Sequence, residues 1–219
     1  MLFRSVYPAQ RDRDHNEVRE TTLDGATRTL VAWPSQQRNL RHQLLGPDWL
    51  ARSRNDSLTL VPLRGGAERR MELDTVPARL TSVVGLSPDG RTVAVWIERQ
   101  GAGGWEGITR LLPIDGGRGR DVRTTFDQCG VNELIWHPDG RHLVVGGAGT
   151  CPEEEFRIHL VPLDGGPIRD LTARSPGRDF NAINLSPDGS TIIVDVEKEW
   201  RTGLVEIDLA PSLGRVGGR

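Results

Sequence analysis

Residues 131–166 read VNELIWHPDGRHLVVGGAGTCPEEEFRIHLVPLDGG, and this stretch decides the fold. It runs as an apolar strand, a Trp136-His137-Pro138-Asp139-Gly140 turn, a second apolar strand, an irregular loop, and a third strand closing on Asp164-Gly165-Gly166. Its parts recur. Ser87-Pro88-Asp89-Gly90 lies 50 residues before the middle turn, and Ser186-Pro187-Asp188-Gly189 lies 49 after it. A second marker keeps the same step: Val61-Pro62-Leu63-Arg64-Gly65-Gly66, Leu112-Pro113-Ile114-Asp115-Gly116-Gly117 and Val161-Pro162-Leu163-Asp164-Gly165-Gly166 follow one another at intervals of 51 and 49. Two independent markers sharing one period, with several strand-sized segments per unit, predict propeller blades or a related solenoid.

The turn chemistry supports strands. Pro presets φ, Asp bonds nearby backbone amides, and Gly supplies the left-handed residue that closes a type I turn with a bulge. Thr92 to Ile97 is apolar on both faces, with Val93, Val95 and Ile97 on one side and Ala94 and Trp96 on the other, as expected of a strand buried between packed sheets. Pro62, Pro113 and Pro162 each fall in the strand before the paired glycines, where a missing N–H is tolerable near a sheet edge. That expectation places them on an outer strand.

Composition bounds the rest. The chain has 219 residues, 36% apolar content, 26 Gly and 14 Pro, which suits many short strands and tight turns rather than long helices. Lys+Arg total 28 against Asp+Glu 30, a net charge of -2, so no global basic field recruits nucleic acid or an anionic membrane. No run of about 18 apolar residues occurs, and residues 1–10 lack the apolar core of a secretion signal.

Along the chain, residues 1–16 read as a polar tail or solvated loop, and 17–219 as propeller repeats: a degenerate unit at about 17–57, then regular units at about 58–107, 108–157 and 158–210. Val18 to Leu23 and Ala26 to Trp33 form two strands around Asp24-Gly25. Trp33-Pro34-Ser35 stands where the Pro-Asp-Gly turn of the first unit is expected, without the Asp or the Gly.

The repeated Ser/His-Pro-Asp-Gly followed by a Val/Ile-rich strand, and then by Pro-Leu-Asp-Gly-Gly, resembles the WD-like Pro-Asp propeller repeat of the TolB family. The same repeat occurs in dipeptidyl-peptidase propellers and in bacterial kinase sensor regions. The resemblance covers about residues 55–210 and implies an all-β propeller with about four blades of four antiparallel strands. Family members usually have six or more blades, so the chain is expected to be either a fragment of a larger propeller or a small one closed by pairing its N-terminal strand with Leu204 to Leu209. Fold of this kind says little about function.

Propeller ligands generally meet the loops opposite the Pro-Asp-Gly and Asp-Gly-Gly turns. The binding candidates are therefore Asp127, Gln128, Glu153, Glu154, Arg178 and Asp179, with Gly101 to Glu106 on the same face; solvated loops of such composition are commoner than sites. Cys129 and Cys151 are the only cysteines. If Trp136 faces Arg141, Cys129 falls opposite about Ala148, and a disulfide across the hairpin mouth is feasible. It would suit a periplasmic or extracellular compartment, the alternative being two free thiols in a reducing cytosol. No metal site is expected, because His137, His142 and His159 lack tetrahedral-site spacing; His137 reads as a turn residue bonding its own backbone. Glu153-Glu154-Glu155 reads as a solvated acidic patch. Gly85-Leu86-Ser87-Pro88-Asp89 fails as a nucleophile elbow, since its fifth residue is not Gly, and no phosphate loop, zincin or EF-hand pattern occurs. The expected function is a non-catalytic interaction or sensor propeller engaging a protein, peptide or cell-envelope ligand, with no cofactor. The alternative is the propeller portion of a larger prolyl-oligopeptidase-like peptidase.

Overall fold

The computed structural model describes residues 4–11, 15–22, 24–34, 41–54, 57–73, 78–101, 104–122, 131–148, 156–171, 179–198 and 201–209. Every regular element among them is a strand, and each sheet is an antiparallel meander of sequential neighbours. The first sheet holds β1 (Arg4–Gln10), β2 (His15–Thr22) and β3 (Thr27–Pro34). The second holds β4 (Arg41–Leu45), β5 (Trp49–Ser53), β6 (Ser57–Pro62) and β7 (Arg69–Glu72). The third is β8 (Ala78–Leu86), β9 (Thr92–Gly101), β10 (Gly104–Pro113) and β11 (Arg120–Val122). The fourth is β12 (Val131–Trp136), β13 (His142–Ala148), β14 (Phe156–Pro162) and β15 (Arg169–Asp170). The fifth holds β16 (Asp179–Leu185), β17 (Thr191–Lys198) and β18 (Arg201–Asp208). Among the described residues no helix is long and apolar enough to cross a membrane.

The chain divides into two compact units, Met1–Val83 and Val84–Arg219. In the first, Val18 and Trp33 of the first sheet pack on Leu50, Val61 and Leu63 of the second sheet and its β6–β7 turn. Two carboxylates are buried on β2. Glu17 accepts from Thr29 Oγ1 at 2.6 Å and pairs with Arg19, while Glu20 takes Arg28 Nε at 2.7 Å and Arg64 Nη2 at 3.2 Å, which ties the two sheets. Buried carboxylates need such partners, because an unpaired charge in this position would be costly.

Two expectations for this unit are corrected. Residues 4–10, read as tail, form β1, which pairs along its length with β2 and lays Val6 against the core. One apolar anchor per strand is too little to register as periodicity. Trp33-Pro34 is not a turn but the end of β3, with Trp33 buried and stacked on His42 at 4.3 Å. The turn that joins β4 to β5 is Gly46-Pro47-Asp48, with Gly ahead of Pro and at φ +63°. This connection has three residues where the regular repeats have five, which hides it from a motif search.

In the second unit each sheet packs on the next. Leu143 and Val145 of β13 meet Ala94 and Leu111 of the third sheet, while Val144, between them in sequence, meets Ile183, Ile192 and Val194 of the fifth. Strand alternation therefore puts one sheet's apolar residues into two cores at once. Val93, Ala94, Val95 and Ile97 of β9 are fully buried, as their two-sided apolar pattern predicts. Burying each of the valine and isoleucine side chains stabilises by roughly 1.5–3 kcal/mol before entropy is subtracted.

Pro62, Pro113 and Pro162 lie on the third strand of their sheets, not the outermost. The next residue's N–H turns inward, Leu63 to Asp48 O, Ile114 to Arg91 O and Leu163 to Arg141 O, at 2.8 to 2.9 Å. Each proline nitrogen, pointing the other way, therefore faces the fourth strand. That strand pairs only through Leu60, Leu111 and Leu160 and stops short of the proline.

Candidate functional site

Most sequence-predicted binding residues, namely Asp127, Gln128, Glu153, Glu154 and Arg178, lie outside the described residues, as do Cys129 and Cys151. Asp179 begins β16, opposite Glu197. Gly101 and Gly104, expected in an open loop, form the last rung of the β9–β10 ladder, and Glu106 pairs with Arg99. The hairpin is longer than the glycines suggest. In the fourth sheet Trp136 faces Leu143 rather than Arg141, two residues off the expected register, and a bulge between Val131 and Glu133 takes back one of the two.

What the described residues present is the opposite end of the sheets, where the turns lie. Antiparallel pairing puts Pro138-Asp139-Gly140 beside Asp164-Gly165-Gly166, joined by the bond from Leu163 N to Arg141 O. The three Pro-Asp-Gly turns share one frame. Gly90, Gly140 and Gly189 have φ of +71°, +67° and +72°, and each donates its N–H three residues back, to Ser87, His137 and Ser186. In the outer copies a serine hydroxyl works in both directions. Ser87 Oγ donates to Asp89 Oδ1 at 2.6 Å and accepts Thr92 N–H at 2.9 Å; Ser186 Oγ donates to Asp188 at 2.6 Å and accepts Thr191 N–H at 3.0 Å. These bonds hold the Asp89 carboxyl below its usual range and bring Asp188 down to about 2.

The middle turn is built differently. His137 is 2% exposed, and its Nε2 lies 2.9 Å from Gly189 O of the neighbouring turn. Its Nδ1 accepts Asp139 N–H at 3.2 Å and sits 3.0 Å from Asp139 Oδ1. His142 Nδ1 lies 2.7 Å from Asp139 Oδ2. Asp139 also accepts Arg141 N–H at 2.8 Å and His142 N–H at 3.1 Å. Burial is the largest influence on Asp139 and pushes its carboxyl up, but the Arg141 N–H bond and the two neighbouring imidazoles together outweigh it, so it titrates below the ordinary value. The sequence reading that His137 bonds its own backbone describes one of its ring nitrogens and misses the other, which reaches the next sheet. His159, in β14, stands apart from this cluster, and burial lowers its pKa.

Beside this turn runs a groove of about 580 Å3 between the third and fourth sheets, walled by Asp89, Arg120, Trp136, Asp139 and Arg141. Trp136 Nε1 donates to Gly85 O at 3.2 Å and Arg120 Nη1 to Leu163 O at 2.7 Å, so both side chains are held across the sheet boundary. Two guanidinium groups, of Arg120 and Arg141, and two carboxylates, of Asp89 and Asp139, line it. A further tie lies deeper: Glu133 Oε2 accepts Ile183 N–H at 2.5 Å, and burial pushes its carboxyl above the ordinary value despite that bond.

Repeated antiparallel sheets, packed face to face at one period, are also what known structures of this kind contain. The chain superposes with TM-score 0.61 on a protein assigned as TolB from Agrobacterium tumefaciens, at 20% identity over 95% of this chain and 67% of that one. It matches the β-propeller domain of the Trilobed protease from Pyrococcus furiosus, which has an open velcro topology, with the same TM-score at 8% identity, covering 94% of this chain and 63% of that one. The fold is that of a β-propeller. In sequence the chain is 29% identical over 141 residues to tricorn protease homolog 1 of Streptomyces coelicolor, covering 64% of this chain and 12% of that relative. The propeller chain thus spans a small part of the length of the curated relative it matches. No protein-family model matches it.

Proposed function

We propose that this chain is the propeller portion of a larger tricorn-like peptidase, in which it binds and guides peptides rather than cleaving them. The observation that carries this reading is the 29% identity over 141 residues to a tricorn protease homologue of which the matched region is only 12%. The likeness in fold to the propeller domain of the Trilobed protease points the same way. Ser87, the serine weighed above against a nucleophile elbow, instead holds its turn through Asp89. Peptide contacts then belong to the loop face, at Asp127, Gln128, Glu153, Glu154, Arg178 and Asp179. The two cysteines, if joined, support a periplasmic or extracellular site of action.

The test immobilises the chain, passes a casein digest over it, and analyses both retained and released peptides by mass spectrometry. Retention of peptides with unchanged termini is expected, together with peptide hydrolysis by the product of the complete reading frame. New peptide termini generated by the chain alone, or a complete reading frame without peptidase activity, would overturn the reading. The second outcome would favour a stand-alone interaction or sensor propeller, the reading that the TolB likeness supports.

A further inference from the structure

The middle turn departs from its siblings at two positions together. Ser87 and Ser186 become His137, and Thr92 and Thr191 become His142, so both non-repeat residues flank the shared aspartate with imidazoles. In the serine copies this position bonds the turn through its backbone N–H and C=O, with Thr191 Oγ1 also 3.5 Å from Ser190 Oγ, whereas the His142 ring reaches the shared aspartate itself.

The first change creates an electrostatic problem. Nε2 of His137 faces a carbonyl oxygen, Gly189 O, at 2.9 Å, so it carries the proton. In a neutral ring Nδ1 then holds a lone pair, and this lone pair stands 3.0 Å from a carboxylate oxygen of Asp139. Two acceptors so close call for a cation between them. The long 3.2 Å bond from Asp139 N–H is poor compensation. A proton on Nδ1 would also fill the gap by making the imidazolium, with His142 Nδ1–H donating to the other carboxylate oxygen at 2.7 Å; a metal ion would instead take the lone pairs of both rings at once.

We propose that His137 Nδ1, Asp139 and His142 Nδ1 bind a divalent transition-metal ion of the zinc type. The three ligand atoms lie within 4.8 Å of one another. The two rings are edge to face, at 86° with centroids 6.0 Å apart, so each can turn its nitrogen to a common centre with a small shift. Two imidazoles and one carboxylate are a zinc donor set, with a position left for water. The bond from Nε2–H to Gly189 O is the outer partner that metal-binding histidines generally have, since it fixes the tautomer and the ring. His137 is buried, whereas His142 and Asp139 are 24% and 32% exposed in their side chains, which gives an ion a path from solvent. Through His137 the ion would tie the turn of the fourth sheet to that of the fifth. The site is independent of peptide binding.

The test is isothermal titration of the chelator-treated chain with Zn2+ at neutral pH, beside the double variant His137→Ser/His142→Thr. That variant restores the residues of the sibling turns, so the turn should keep its frame, and circular dichroism should match the wild type. The expected result is one ion per wild-type chain, a higher melting temperature with Zn2+, and loss of both in the double variant. His142→Thr alone removes one of three ligands and should weaken binding by more than the roughly 10- to 100-fold that loss of a ligand's outer partner costs, while His159→Gln should leave it unchanged. A wild-type chain that takes up no Zn2+, or a double variant that binds as the wild type does, would overturn the proposal.

Discussion

At the scale of single residues, the turn glycines and aspartates hold the repeat together, and their conformations expose them to specific changes. Gly189 adopts φ +72°, and a Cβ placed there would lie 2.6 Å from His137 Nε2 and 3.0 Å from Pro138 Cδ. Gly189→Ala is therefore expected to destabilise by about 1–3 kcal/mol from backbone strain and to push His137 off its carbonyl partner. Thermal melts read the first effect and the imidazole resonances of His137 the second; an unchanged melting temperature would contradict the packing described. Asp188 supplies a pH signature. Its carboxyl falls from 3.8 to about 2 in the folded chain, chiefly through Ser186 and Ser190. A depressed acid pKa contributes stability that is complete above the unfolded value and disappears as pH falls through the folded one. Acid titration of stability should thus show a loss between about pH 4 and pH 2 that is smaller in Asp188→Asn, and equal slopes for the two proteins would refute this anchoring.

At the scale of elements, Glu133 on β12 gives the opposite sign. Burial raises its pKa more than the Ile183 N–H bond lowers it, so folding disfavours the charged carboxylate. The resulting loss of stability sets in as pH rises through the unfolded value and is complete above the raised one. Glu133→Gln keeps an oxygen for Ile183 N–H and removes the charge, so it should melt higher than the wild type at neutral pH and equally below about pH 4; a lower melting temperature at pH 7 would show the charge to be favourable. Sequence made the regular strands legible because period, turn chemistry and two-sided apolar runs all agree there. β1 escaped because one valine anchors it, and the Gly46-Pro47-Asp48 turn escaped because its residues are permuted and its loop is shorter. The His137, Asp139 and His142 cluster escaped for another reason: spacing along the chain does not report a turn that folds residues back on each other. Aligning the three turns position by position would have shown the paired Ser-to-His and Thr-to-His changes.

For the whole molecule, the compartment rests on Cys129 and Cys151, and that expectation has a direct check. A thiol count under denaturing conditions, on protein isolated from its native compartment without reductant, should find none; two titratable thiols would remove the argument for an oxidising environment. The third-strand prolines bear on how the molecule behaves in company. Because Pro62, Pro113 and Pro162 offer no hydrogen to a neighbour, the strands outside them shrink to 4, 3 and 2 residues. Outer edges of that length are poor templates for a foreign strand. A missing donor on the inner side of each rim therefore acts as protection against aggregation, and replacing all three prolines with threonine would be expected to lengthen the rim strands and lower solubility.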